Sequence, residues 1–368
     1  MSQSKNTIIS LLWLVVLALG FSCAPKSSGS AVGEFDTLYA PKYAKHFVVL
    51  SKGDSVALRV INPWQGAKDV IFDYNVEDYA NAKGQRIITM STSHSALFDA
   101  LGLEENIVGV SGPQWLSKPA HRSLPDVGYG TSLHYETIVG LGCDIFTTYE
   151  VSGENSSSAE KLKSLKVPAV YIADYIEDSP LAKTEWIVAL GTLVQKTAEA
   201  EAIFESVEEN YNATKRLIAK YLEDESKVSP KVMLNSPYKD VWYMPGDSSY
   251  MVQLLNDAGA CYVAKGTADN VSRPVSMESA FMMLREADVW LNPAADIRSC
   301  EALEKVNPLL KGFDIEVYTN AAKEIGSGSD FWESGVLRCD IVLKDLAKIF
   351  YKDLPLEHNL YYHWKLPR

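Results

Sequence analysis

The sequence predicts an α/β protein built on parallel sheets, and three observations carry that expectation. Short β-rich apolar runs alternate with helical stretches in the order strand, helix, strand. That order restarts after Ser229-Pro230, so the chain has two such halves. Between them, from Pro180 to about Asp224, lies a stretch rich in Ala, Glu, Lys and Leu with no further proline and only Gly191. A length of 368 residues is compatible with two domains.

The elements follow in order. Lys5 precedes an apolar run, Ile8 to Phe21, too short to span a bilayer core, which takes ~20 residues. A positive start, a short apolar stretch and small residues behind it describe an export signal over residues 1–22. Leu19-Gly20-Phe21-Ser22-Cys23 resembles a lipobox with Gly20 where leucine is usual, so Cys23 is the expected lipidated residue of a membrane-anchored lipoprotein. The alternative is a secreted chain with an ordinary cysteine. Residues 23–40, Pro/Ser/Gly-rich at first, read as a tether. Phe47–Ser51 and Ser55–Ile61 flank Lys52-Gly53-Asp54 as a hairpin within an N-terminal region 41–84. In 85–183, strands are expected at Arg86–Ser91, Ile107–Val110, Asp144–Tyr149 and Val167–Ile172. Helices are expected at Ala96–Leu103, behind a polar loop, and at Thr137–Leu141. Residues 184–226 hold bridging helices, the second running from about Ala198 to Leu222, ~37 Å long at 1.5 Å per residue. In 227–368 the strands are Val232–Asn235, Val241–Tyr243 after a Ser236-Pro237 turn, one near Tyr262, Asp288–Leu291 and Ile315–Tyr318. The helices there are Tyr250–Ala258, Met277–Leu284 and Val336–Phe350.

Composition narrows function. The chain is 47% hydrophobic and carries a formal charge of −12, so it lacks the basic surface that nucleic acid or anionic lipid requires. No G-x-S-x-G, P-loop, dinucleotide glycine fingerprint or H-E-x-x-H occurs. The six histidines are scattered and none forms an i,i+4 metal pair. His94 between Ser93 and Ser95 fits a loop histidine near a ligand, or a capping or core histidine, better than a hydrolase fragment. Four cysteines besides Cys23 allow three pairings, with Cys261 and Cys300 favoured because they share one half; the alternative is that all four are simply buried thiols.

Two features suggest a binding protein. Aromatic residues recur in the expected loops of both halves: Trp115, Tyr149, Trp242, Tyr243 and Trp332. Flat rings at strand ends suit a large planar or apolar ligand, and Lys118, His121, Arg122, Arg273 and Arg298 are placed to meet anionic groups. The halves also echo each other. Tyr135-Glu136 opens an apolar helix leading to Asp144-Ile-Phe, as Met277-Glu278 does before Asp288-Val-Trp. Each Glu also suits a helix N-terminus electrostatically, but their equivalent positions suggest a paired surface.

These motifs resemble the solute-binding lipoproteins of ABC importers for iron–siderophore complexes, haem and vitamin B12, most of all a Bacteroidetes-type branch. The resemblance covers Ile87 to Leu346. It rests on Ser91-Thr-Ser-His94, Gly109-Val-Ser-Gly-Pro113, Ala182-Lys-Thr-Glu-Trp186, Pro237-Tyr-Lys-Asp-Val-Trp-Tyr-Met-Pro-Gly246, Ser249-Tyr-Met251 and Asp330-Phe-Trp-Glu-Ser-Gly-Val336. Gly142-Cys143-Asp144 departs from the usual Lys-Pro-Asp. The resemblance implies two Rossmann-like lobes joined by a single long helix, the class III architecture. It implies a monomeric, non-catalytic periplasmic receptor without a cofactor, which captures a metal chelate and delivers it to an inner-membrane permease. An iron(III)–siderophore complex leads, with cobalamin or haem as alternatives. An exported α/β hydrolase is the rival of a different class, and a receptor for bare zinc or manganese lacks converging histidines. By position, His94, Trp115, Tyr149, Trp242, Tyr243, Arg273 and Trp332 line the ligand cleft, and Glu136 and Glu278 dock on the permease.

Overall fold

In the computed structural model, which describes residues 35–81, 84–151, 156–239, 241–266, 269–293, 297–306, 308–312 and 314–368, both halves form parallel sheets with one strand order. The expected export signal and Cys23 lie outside the described residues. The N-terminal half sets Ala169–Tyr171, Ile145–Thr148, Ile87–Thr89 and Ile107–Val110 side by side, all parallel. The C-terminal half sets Glu316–Thr319, Val289–Leu291, Lys231–Leu234 and Cys261–Tyr262 side by side, again all parallel. In each, the first strand in sequence lies between the second and the third. Trp364–Lys365 adds an antiparallel edge to the second sheet, beyond Glu316–Thr319.

The sequence builds these sheets because both faces are covered and successive side chains point opposite ways. Ile87 and Ile145 enter one core while their neighbours Ile88 and Phe146 enter another. Likewise Val232, Leu234, Val289 and Leu291 face one core, and Met233 and Trp290 the other.

The lobes are joined by Pro180–Leu193, buried along nearly its whole length, and by Thr197–Tyr221, 25 residues long. Along the second helix Ala200, Phe204, Val207, Tyr211, Thr214 and Ile218 are buried at steps of three and four, an amphipathic stripe. Ala200 and Phe204 belong to the N-terminal core; Val207, Tyr211 and Ile218 belong to the C-terminal one. One helix thus inserts a single stripe into both lobes. The two helices approach closely at Gly191, where a Cβ would stand 2.4 Å from the Cβ of Ala200.

The expected hairpin is present at Phe47–Lys52 and Ser55–Ile61, turning on Gly53 at φ +62°. It is the middle of a four-stranded antiparallel meander with Asp36–Tyr39 and Ile71–Asn75. Phe47 packs on Trp186, ring centroids 5.0 Å apart. Two buried carboxylates tie down the chain before the hairpin: Glu185 accepts the amides of Lys42, Tyr43 and Ala44, and Glu177 those of Lys45 and His46. Residues Phe35–Arg368 make one compact unit. Among the described residues no helix is long and apolar enough to cross a membrane.

Several expectations are corrected. The first helix spans Thr92–Ala100, starting four residues early: Ser91 is extended, makes no side-chain cap bond, and its carbonyl accepts the Ser95 amide at 3.3 Å, so the helical bonding begins there. The polar run read as a loop is therefore its first turn. Pro237–Tyr238 is a strand and the turn falls at Lys239, φ +56°; with Val241–Met244 and Arg273–Ser276 it forms a small antiparallel sheet. The last helix is two, Ser334–Leu337 and Cys339–Phe350, broken at Arg338. Cys261 and Cys300 are unpaired. Cys261 lies in the strand at one edge of the five-stranded sheet, while the Cys300 thiol faces the Leu366 carbonyl beside the opposite edge. At ~4.8 Å per strand that separation far exceeds the ~7 Å that bridged Cα atoms allow.

Candidate ligand-binding cleft

In open parallel α/β sheets, ligands bind beyond the carboxyl ends of the strands, where the strand order reverses. Here the chain emerging from those ends brings the lobes together. Helix Thr92–Ala100 follows the first N-terminal strand, and Thr92 Oγ1 donates to the Trp332 carbonyl at 3.0 Å. Ser117, in the loop beyond strand Ile107–Val110, donates its amide and hydroxyl to Glu333 Oε2 at 2.6 and 2.7 Å. Arg122 donates to the Ile325 carbonyl at 2.7 Å. Residues 320–337, leaving the C-terminal end of strand Glu316–Thr319, thus form a second connection between lobes besides the bridging helix. On another side, Asn270 donates to Asp178 at 3.0 Å, and the Lys183 ammonium lies 5.6 Å from the Tyr250 ring centroid.

The aromatic residues divide into two groups. Trp115 and Trp332 are exposed, 57% and 52%, on the two segments that meet at the Ser117–Glu333 contact. Tyr149 is half-buried just past its strand, 5.9 Å from the ring of Tyr175 and 6.4 Å from that of His94. Burial raises the Tyr149 hydroxyl pKa, and it pushes that of Tyr175 up to about 12. Tyr243 is exposed, but on strand Val241–Met244 it alternates with Trp242, whose indole is fully buried, bonded to the Leu234 carbonyl and packed on Trp290. Trp242 is therefore core, not a ligand contact. His94 is core as well: it is fully buried, with Nδ1 3.0 Å from Thr147 Oγ1 and Nε2 3.6 Å from Asp174 Oδ1. Helix and sheet enclose it because the helix begins before it.

Arg273 stands opposite Met244 on the adjoining strand, one register from Tyr243, and pairs with Asp269. The other cations expected to meet a ligand are likewise engaged. Lys118 pairs with Asp99 and Glu104, Arg298 pairs with Glu324, and Arg122 is bonded to the carbonyls of Gln114, Leu116 and Ile325. Lys183 donates to the Asp174 carbonyl at 2.7 Å; burial lowers its pKa against the pull of Asp174, Glu177 and Asp178. Burial pushes the Asp174 carboxyl upward, but His94, Lys183 and Ser93 outweigh it and leave the carboxyl below its usual range.

Sequence reasoning missed Tyr129, 71% exposed at the tip of the hairpin Gly128–Tyr129 and Ser132–Leu133. The Gly128-Tyr-Gly130 triplet, both glycines at positive φ, was the available signal. Glu136 and Glu278 are both exposed in the first turns of Tyr135–Leu141 and Met277–Glu286. Neither has an ion-pair partner among the described residues.

Two α/β lobes of equal strand order and a long helix inserted in both are the architecture of a two-lobed binding protein. The chain belongs to the periplasmic binding protein family, whose model matches residues 87–299, more than half of its length. Its fold is the class III form, and the family is one of substrate-binding proteins rather than enzymes. An uncharacterized lipoprotein of Methanocaldococcus jannaschii is 25% identical over 283 residues, 73% of this chain and 65% of that relative, so the match spans less than two thirds of the relative's length. The fold is similar to that of a periplasmic haem-binding protein from Pseudomonas aeruginosa, with TM-score 0.60 and 20% identity, covering 77% of this chain and 98% of that one. It is also similar to a periplasmic haem-binding protein from Roseiflexus sp. RS-1, with TM-score 0.55 and 21% identity, covering 73% and 98%.

Proposed function

We propose that this chain is the extracytoplasmic receptor of an ABC importer, anchored through Cys23, and that its cargo is a metal chelate of the flat tetrapyrrole class, haem or cobalamin. A ferric siderophore stands second. The observation that carries this order is the pairing of the cleft's cations. Arg122, Arg273, Arg298, Lys118 and Lys183 are all held by protein acceptors, while the Trp115, Tyr129 and Trp332 rings are exposed. An anionic siderophore calls for free guanidinium or ammonium groups; a large planar chelate calls for aromatic walls. The haem-binding proteins of similar fold support the same order. Tryptophan fluorescence titration and native mass spectrometry with haem, cobalamin and two ferric siderophores test it. Tetrapyrrole binding below ~1 μM is expected, weakened by Trp115→Ala and Trp332→Ala. Binding of a siderophore alone reverses the order, and binding of none refutes the chelate reading.

Glu136 and Glu278 serve as the docking carboxylates, one on each lobe, where two separated charge pairs fix orientation and hasten association. The double replacement by Ala leaves chelate affinity unchanged and weakens transport in reconstituted vesicles. Unchanged transport refutes the docking role.

A further inference from the structure

The second connection between the lobes contains a cluster that the cleft does not use. Asp99 from the end of helix Thr92–Ala100, His121 from Pro119–Arg122, and Glu333 converge from three separate parts of the chain. One ligand atom from each lies within 4.8 Å of the others. His121 is 1% exposed and Glu333 3%. Among the described residues, neither ring nitrogen of His121 nor Asp99 Oδ1 has a hydrogen-bond partner. Buried polar atoms are otherwise almost always partnered.

His121 Nε2 is 3.2 Å from Asp99 Oδ1 without hydrogen-bond alignment, and Nδ1, on the other edge of the ring, is 3.9 Å from Glu333 Oε1. One ring nitrogen holds a given ion, so a site uses that nitrogen and one oxygen from each carboxylate, which lie within 4.8 Å of one another. Around a tetrahedral ion bonded at about 2.0–2.2 Å, ligand atoms stand about 3.3–3.6 Å apart, so the three donors close by about 1 Å when the ion enters. The other oxygen of each carboxylate is already held. Glu333 Oε2 accepts from the Ser117 amide and hydroxyl, and Asp99 Oδ2 from Lys118 at 3.2 Å. Such outer bonds fix the orientation of the two carboxylates and leave one oxygen of each toward His121. Charge agrees: with a neutral imidazole, Asp99, Glu333 and Glu104 against Lys118 leave two negative charges uncompensated, which one divalent cation cancels.

We propose that Asp99 Oδ1, His121 and Glu333 Oε1 bind a divalent transition cation, Zn²⁺ by donor type, with water completing its shell. The ion would staple residues 320–337 to the N-terminal lobe. The mixed nitrogen and carboxylate set suits zinc better than calcium or magnesium.

The test uses the full chain stripped with a chelator. Calorimetric titration with Zn²⁺ should give one site, and at a hundredfold excess over Kd the Tm should rise by about 3–8 °C. Co²⁺ should give a visible d–d band without the thiolate charge-transfer band that exposed Cys261 would produce. Glu333→Gln and Asp99→Asn should each weaken Zn²⁺ binding at least tenfold, with folding checked by circular dichroism. Chelate binding, measured on the same samples, reports on the cleft separately. Less than 0.1 equivalent of Zn²⁺ retained by the unaltered chain, or undiminished affinity in both variants, overturns the site and leaves an imidazolium between two carboxylates.

Discussion

Glu185→Gln tests how the N-terminal meander is attached. The Glu185 side chain is fully buried. Its Oε1 accepts from the Tyr39 hydroxyl at 2.8 Å and the Lys42 amide at 2.7 Å; Oε2 accepts from the amides of Tyr43 and Ala44, both at 2.8 Å. A glutamine keeps one accepting oxygen and turns the other into a donor. Its best placement keeps oxygen toward Tyr43 and Ala44, and lets the Tyr39 hydroxyl rotate to accept from the new NH₂ group. The Lys42 amide then faces a donor and is orphaned. Three charge-assisted bonds become neutral, at about 1 kcal/mol each, and one buried amide goes unmet, at about 1–3 kcal/mol. The loss is about 4–6 kcal/mol, a large part of the 5–15 kcal/mol that holds a typical domain. Because the bonds hold residues 39–44 to the helix, the damage is local opening before global unfolding. Hydrogen exchange should show the Lys42, Tyr43 and Ala44 amides exchanging about three to four decades faster. The urea midpoint should fall as well. Protection unchanged within fivefold, at an unchanged midpoint, refutes the reasoning.

Other outcomes follow from particular contacts. Gly191→Ala sets a Cβ against Ala200 Cβ and 3.0 Å from the Lys196 carbonyl, so it should cost about 1–3 kcal/mol as overpacking; a Tm within 1 °C of the parent contradicts that. Burial pushes the Glu316 carboxyl upward, but Lys352 and Lys365 outweigh it and hold it at about 2. Its folded pKa lies below its unfolded one, so its stabilisation is present above about pH 4.5 and lost as pH falls through about 2. Glu316→Gln should flatten the acid limb of a stability profile in that window, and an unaltered slope there counts against the pairing. Thiol labelling of the folded chain should modify exposed Cys261 first. It should spare Cys339, whose burial pushes its thiol up to about 12, until denaturant is added; a Cys261–Cys300 linked peptide contradicts the sheet order.

The sheets were legible because alternation and apolar runs report strands buried on both faces, as Ile87-Ile88 and Val289-Trp290-Leu291 do. The bridging helix was legible because its stripe continues through six buried positions. What failed was local and governed by caps and breaks. A serine-rich run before an apolar helix reads as loop until the helix is seen to start at Thr92, and that earlier start moved His94 from cleft to core. Trp242 and Tyr243 are adjacent aromatics that sequence treats alike, yet a strand must send them to opposite sides. The Asp99, His121 and Glu333 cluster was invisible because its members lie far apart in sequence, and no spacing rule connects them. Free and occupied arginines look the same in sequence, so the emphasis on anionic cargo weakened only when their partners appeared.

The inter-lobe attachments have a mechanical consequence. A body tied to another at one flexible point can swing in any direction, whereas ties at separated places leave mainly a small twist. Helix Thr197–Tyr221 is one tie, the segment carrying Glu333 is another, and the Asn270–Asp178 contact lies on a further side. For a receptor of the proposed kind, little free energy would then be spent selecting a closed form before the cargo enters, and measured affinity would lie near intrinsic affinity. The same stiffness works against release. In the proposed importer, cargo held by so stiff a scaffold would leave when something else deforms it, which would place the work of unloading on the permease.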